Sequence, residues 1–370
     1  MQLGMFMQPV HDVRRDYTKV LEEDRETIIL ADRLGFLECW IGEHLSALTE
    51  PITAPLVFLA TLIERTRSIK LGTGVFCLPL QHPAMVASHA AMFDHLARGR
   101  FQMGIGTGSL SSDLELFNVG GDTDRGAMVR ESIDQILSIW ANDPPHVYEG
   151  EYWDIRVEDR SRAEFGVGAF PRPFQRPHPP IAVSLMAPGS RTPYLAGERG
   201  WIPISGANLV QPRYIGEHWE KYAAGCEAAG RRPDPAIWRV GRSVIVGSSD
   251  AEAEDYLVDP DGAMAYWFAY TIAGFRNRGA LHLLYPDGHT GDEPPDWTDI
   301  ARSMVAWGSP DTVAEKIAAL RDTVGDFGVL TVTAHEWDDP EFCRRSLTRL
   351  AEEVMPRFAP ARAAATGTLG

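Results

Sequence analysis

Residues 69–108 read IKLGTGVFCLPLQHPAMVASHAAMFDHLARGRFQMGIGTG, and the fold is decided there. Ile69–Leu78 is an apolar run with strand character, Pro83–Leu96 has helical spacing behind an opening proline, and Phe101–Ile105 is apolar again. Two strands joined through a helix predict a parallel pair, because parallel neighbours need a crossover connection.

The same alternation continues in both directions. Further strands are expected at Leu3–Met7, Glu38–Ile41, Ile181–Leu185, Trp201–Ile204, Arg239–Val246 and Val329–Thr333. Further helices are expected at Leu21–Leu34, Ala54–Glu64, Arg125–Trp140, Arg191–Glu198, Tyr214–Ala229, Ser309–Val324 and Pro340–Val354. Eight strand–helix units without a break in composition predict an α/β fold, a closed (β/α)8 TIM barrel in preference to an open doubly wound sheet. One domain is expected over residues 1–358, with 359–370 a small, polar, disordered tail. Two stretches exceed a plain barrel: Asn142–Pro180 after strand four and Ser248–Trp307 after strand seven. Connections of that length are expected to be either functional lids or disordered excursions, and both could overhang the C-terminal ends of the strands.

The chain has 370 residues, 44% hydrophobic and 23% charged, with a net charge of −16. That charge repels phosphate backbones and anionic lipid, so neither nucleic acid nor a membrane surface is an expected partner. No apolar run is long enough to span a membrane and no signal segment is visible, so a cytoplasmic protein is expected. Cys39, Cys77, Cys226 and Cys343 are scattered, which predicts reduced thiols rather than a disulfide or metal framework.

His44, just past strand two, is placed either to move protons at a barrel mouth or as a solvent-facing loop histidine. Gly72 and Gly74 inside strand three mark a close approach, of a flat ligand or of the barrel's own packing. Gly104–Ser109 lacks full G-x-G-x-x-G spacing; it reads weakly as a dinucleotide loop and more reasonably as a glycine floor under a ligand. The turn Pro188-Gly189-Ser190-Arg191 opens a helix, which suits either an anion or a plain cap with a surface arginine. His82 is expected to order a turn and His178 to sit in a loop, while His335 ends strand eight. No metal-ligand spacing and no G-x-S-x-G elbow is present.

Taken in order, Glu43-His44, the run GTGVFCLPLQHP (72–83), LARGRFQMGIGTG (96–108) and GSPDTV (308–313) resemble the bacterial luciferase-like flavin monooxygenases over almost the whole chain. MVRESIDQIL (128–137), YEGEYWD (148–154) and LAGERGW (195–201) are similar to the limonene and diketocamphane monooxygenase branch. The resemblance implies His44 as the catalytic residue beside a flavin, and a non-proline cis peptide at Gly74-Val75. It implies Gly74, Val75, Gly106, Thr107, Met186, Gly189, Ser190 and Arg191 as cofactor-binding residues. Luciferase has a basic residue where this chain has Thr107, so phosphate charge would fall to Arg191, to Arg125 or Arg130, or to backbone N–H groups.

The activity so implied uses FMN, supplied as FMNH2 by a separate reductase, with O2 as co-substrate. A C4a-(hydro)peroxide would oxygenate a hydrophobic ketone, aldehyde or alkene, with Baeyer–Villiger insertion favoured. Trp153, Trp267 and Phe268 are expected as apolar substrate walls, and a homodimer is expected by analogy. The rivals are an F420-dependent hydride-transfer enzyme on the same fold, a non-catalytic flavin-binding subunit, and a Rossmann dehydrogenase built on Gly104–Gly108.

Overall fold

The computed structural model describes residues 1–186, 188–206, 210–290 and 293–358. The expected tail lies outside the described residues. Eight parallel strands form the barrel: β1 (Gln2–Met7), β2 (Glu38–Ile41), β3 (Lys70–Thr73), β4 (Phe101–Gly106), β5 (Ile181–Leu185), β6 (Ile202–Ser205), β7 (Arg239–Val246) and β8 (Val329–Thr333). Each strand pairs with the next in the chain. The circle closes where Gln2 to Phe6 of β1 lie beside Val329 to Thr333 of β8. Closure excludes the open doubly wound sheet, and with it the Rossmann reading of Gly104–Gly108. No helix among the described residues is long and apolar enough to cross a membrane.

The helices begin where the sequence supplies caps. Asp16 accepts the Lys19 N–H ahead of Tyr17–Arg33, Asp124 accepts the Ala127 N–H ahead of Arg125–Ala141, and Ser309 caps Pro310–Val324. His82 caps Pro83–Leu96 through its Nδ1, the turn-ordering role its position suggested. The second helix is shorter than its spacing predicts, Pro55–Ala60.

Strand three departs from its expected form. The continuous run breaks after Thr73 and resumes as a short strand, Phe76–Cys77, and the Gly74–Val75 peptide bond is cis. Gly72 lies beside Gln102, yet Phe76 lies beside Ile105. Strand three therefore takes one residue more than β4 over this span, which makes it a bulge at the mouth. Thr73 bridges the gap: its hydroxyl accepts the Gly104 N–H (3.0 Å) and donates to the Gly104 carbonyl (2.9 Å).

Inside the barrel Phe6, Trp40, Ala182, Ile202 and Ile204 form an apolar plug. The Trp40 ring explains Gly72, where an added Cβ would lie 2.4 Å from it. Below the plug, Arg239 grips the fully buried Glu38 with two bonds of 2.9 and 2.8 Å, and Trp40 and Gln102 donate to the same carboxylate. A bidentate pair with its remaining lone pairs met is the form in which buried charge is tolerated.

The long connections contain structure that their composition concealed. Residues 142–180 carry an antiparallel hairpin, His146–Tyr148 with Ile155–Val157. This stretch leaves a helix rather than a strand, so it starts at the far end of the barrel, where Gln175 bonds Asp94 and the Phe101 carbonyl. Only the hairpin tip returns toward the mouth. After β7 come helices Asp250–Val258, Ala263–Asn277 and Trp297–Met304, then a strand, Val305–Gly308, paired with the upper half of β7. Helix Ala263–Asn277 has its own core of Met264, Trp267, Phe268 and Phe275 with Ile300 and Met304, and it forms the lid.

Candidate active site

At the mouth, the turn after β2 buries His44 to 7% exposure inside a frame of polar groups. Asp113, on the short helix Ser111–Leu116, lies 3.2 Å from His44 Nδ1. That carboxylate also accepts the Ser46 hydroxyl (2.5 Å) and the N–H groups of Leu45 and Ser46. Burial works to raise the Asp113 pKa, but these donors and His44 outweigh it and hold the carboxyl below its usual range. On the other side of the ring, Nε2 lies 2.5 Å from the Gln8 amide and 3.2 Å from Glu50 Oε2.

Gln8 donates to Glu50 Oε2 as well, at 2.5 Å, and Tyr270 of the lid donates to Glu50 Oε1. A neutral ring would give its Nδ1–H to Asp113 and accept from Gln8. A charged ring would give Nδ1–H to Asp113 and Nε2–H to Glu50. Both protonation states find partners, which suits a group that gains and loses a proton. Beside this frame, Glu43 accepts the Cys77 N–H (3.1 Å) and the Gln81 amide (3.0 Å). Burial pushes its carboxyl up to about 7, against those hydrogen bonds.

The other expected site residues are placed unevenly. The side of Gly74 faces Trp40 and Phe6, and a Cβ on Gly106 would meet Val75 Cγ2 at 2.5 Å; packing accounts for both glycines. Thr107 is exposed and Met186 half-buried. Gly189 has a φ of +77°, Ser190 accepts the Thr192 N–H, and Arg191 stands exposed over the Tyr194 ring at 5.8 Å. Trp153 lies edge-on to His82 at 5.5 Å and packs with Cys77 and Leu114. Trp267 lies edge-on to His335 at 4.6 Å. Trp267, at 3% exposure, and Phe268, at 0%, are both enclosed in the lid's own core.

His335 is better defined than its position at the end of strand eight suggested. Its Nε2 is 2.9 Å from the Ser243 hydroxyl, and burial pulls its pKa down to about 4, so it is neutral near pH 7. Gln8, Glu50, Asp113 and Tyr270 were not anticipated.

Two arginines follow the strands at this end without an acid partner among the described residues. Arg125 opens helix Arg125–Ala141 and its Nε is buried without any acceptor. Arg191 precedes helix Thr192–Arg199. Arg130, by contrast, has Asp124 at 3.8 Å. Among the described residues no three His, Cys, Asp or Glu side chains are grouped to hold a metal, and all four cysteines are free.

A family model described as luciferase-like monooxygenase matches residues 1–326. The chain belongs to that family. This luciferase-like monooxygenase is 34% identical to 4-hydroxyprotoasukamycin monooxygenase of Streptomyces nodosus subsp. asukaensis, covering 96% of its own length and 91% of the relative. It is 29% identical to 3,6-diketocamphane 1,6-monooxygenase of Pseudomonas putida, over 97% and 98% of the two chains. Among solved structures it matches the oxygenating constituent of 3,6-diketocamphane monooxygenase, a type II Baeyer–Villiger monooxygenase in complex with FMN. The TM-score is 0.86 at 29% identity, covering 96% of this chain and 98% of that one. The luciferase-like resemblance and the barrel were both legible in the sequence.

Proposed function

We propose that this enzyme is the oxygenase of a two-component system, binding reduced FMN made by a separate reductase and inserting oxygen into a hydrophobic ketone or related substrate. When bound, the reduced flavin supplies the activation of O2. The observation that carries the reading is that Arg125, with its buried, acceptor-less Nε, and Arg191 each stand at a helix start and neither has an acid partner among the described residues. A phosphate would give those donors the acceptor they lack. The Pro188–Arg191 turn would add backbone donors, with Gly189 and Ser190 in it, and the bulge at Gly74-Val75 with Gly106, Thr107 and Met186 would lie under the ring.

His44 would hold or release a proton at Nε2 beside the reacting atoms, with Asp113 fixing Nδ1. The lid would exclude water, and Trp153 would wall the substrate space. The chain would work as one barrel unit over residues 1–358, as a homodimer. Exposed Val57, Met85, Met92 and Leu96 on neighbouring helices support that pairing.

The test mixes the protein anaerobically with FMNH2 and, separately, with reduced F420, then admits O2. Bound FMNH2 that reoxidises on a different time course from free FMNH2 is the expected result. Arg125→Ala and Arg191→Ala should each weaken FMN binding about tenfold, roughly 1.4 kcal/mol. His44→Ala should leave that binding intact and abolish oxygenation. Tight binding of F420 alone would replace the proposal with hydride transfer.

A further inference from the structure

The lid helix touches the site at two places. Tyr266 and Tyr270 are one turn apart, on one face of Ala263–Asn277, and they reach consecutive residues of the turn that follows His44. The Thr49 hydroxyl lies 3.5 Å from the Tyr266 hydroxyl, and Tyr270 donates to Glu50. Trp267, on the same helix, rests against His335.

Glu50 is 6% exposed and has both oxygens engaged. One faces the lid through Tyr270, and the other faces Gln8 and His44 Nε2. Among the described residues Glu50 is where the turn's hydrogen bonds reach both the lid and the histidine. Burial and the charge of Glu50 push the Tyr270 phenol far up, so it remains a donor.

We infer that Glu50 and Tyr270 are positioning residues, a hydrogen-bonded link through which docking of the lid helix is felt at the His44 imidazole. A docked lid places a phenol on Glu50 and draws part of its negative charge away from His44. An undocked lid leaves that charge facing the ring. The groups around the imidazole are Asp113 from helix Ser111–Leu116, Gln8 from the segment after β1, Glu50 from its own turn and, through Glu50, Tyr270 from the lid; Glu43 is the adjoining carboxyl. The inference builds on the proton-handling role proposed for His44, but it concerns the protein without flavin.

The experiment follows the histidine ring signals of isotope-labelled, flavin-free protein by NMR through a pH series, with His44→Asn identifying the signal. Glu50→Gln should move the His44 titration curve to lower pH by about one unit, because a carboxylate beside the ring has been neutralised. Tyr270→Phe should move it the opposite way and speed amide exchange along 263–277, because Glu50 regains its full charge and the helix loses a tether. Curves that stay in place in both variants, or move in the same direction, would overturn the link. Since neither readout needs cofactor or substrate, failure here is separate from failure of the oxygenase reading.

Discussion

Glu43 sits next to the histidine yet behaves as a different kind of group. With its carboxyl held near 7 against an ordinary 4.5, the folded protein keeps a proton that the unfolded chain has released between those values. Stability therefore falls as pH rises through that window and levels off above about 7. Glu43→Gln, which cannot ionise, should lack this loss. Urea unfolding at pH 4.5 and pH 7.5 should show the parent losing up to roughly 3 kcal/mol more than the variant across the interval. Equal slopes would mean that the carboxyl titrates in the folded protein as it does in the unfolded chain. At this scale the sequence pointed to His44, because a histidine after a barrel strand has a definite position. Its partners were hidden: Gln8 and Glu50 are 42 residues apart and Tyr270 is 220 from Glu50, so no spacing rule connects them. The burial of Trp267 and Phe268 in the lid's core was not legible, because an aromatic run in a long connection looks the same whether it faces a ligand or itself.

Among the elements, the barrel strands were the most legible. β5, β7 and β8 occupy the expected residues, since apolar, β-branched runs between helical patterns leave few alternatives, and so does β2, although ECWI is short and mixed in polarity. The helix Ser111–Leu116 was missed because SSDLEL has too few apolar residues for a period to show. The hairpin in 142–180 was missed because each strand is three residues long. Its attachment is specific, however. Glu131 accepts the N–H groups of Glu151 (2.8 Å), Tyr152 (3.1 Å) and Trp153 (2.8 Å), which carries Trp153 to the cluster at Cys77 and Leu114. Glu131→Ala leaves those donors without their acceptor. It should cost about 1–3 kcal/mol and raise amide exchange over 150–157 while the barrel strands stay protected. Uniform exchange across the chain would show instead that the hairpin does not open on its own.

For the whole molecule, the expected pairing of two copies is checked by light scattering. The parent should elute at about twice 40.9 kDa. Met92→Glu, placing charge in an exposed apolar stripe with Met85 and Leu96, should elute near the monomer mass with its fold unchanged. A parent that is monomeric at every concentration would remove the homodimer. The barrel itself has a further consequence. Its axis is filled below the mouth by Phe6, Trp40 and the Glu38–Arg239 clasp, so a ligand held at the mouth has no way out through the far end of the barrel. Arrival and departure then share one side of the barrel, past the turn and the helix that carry His44 and Tyr270.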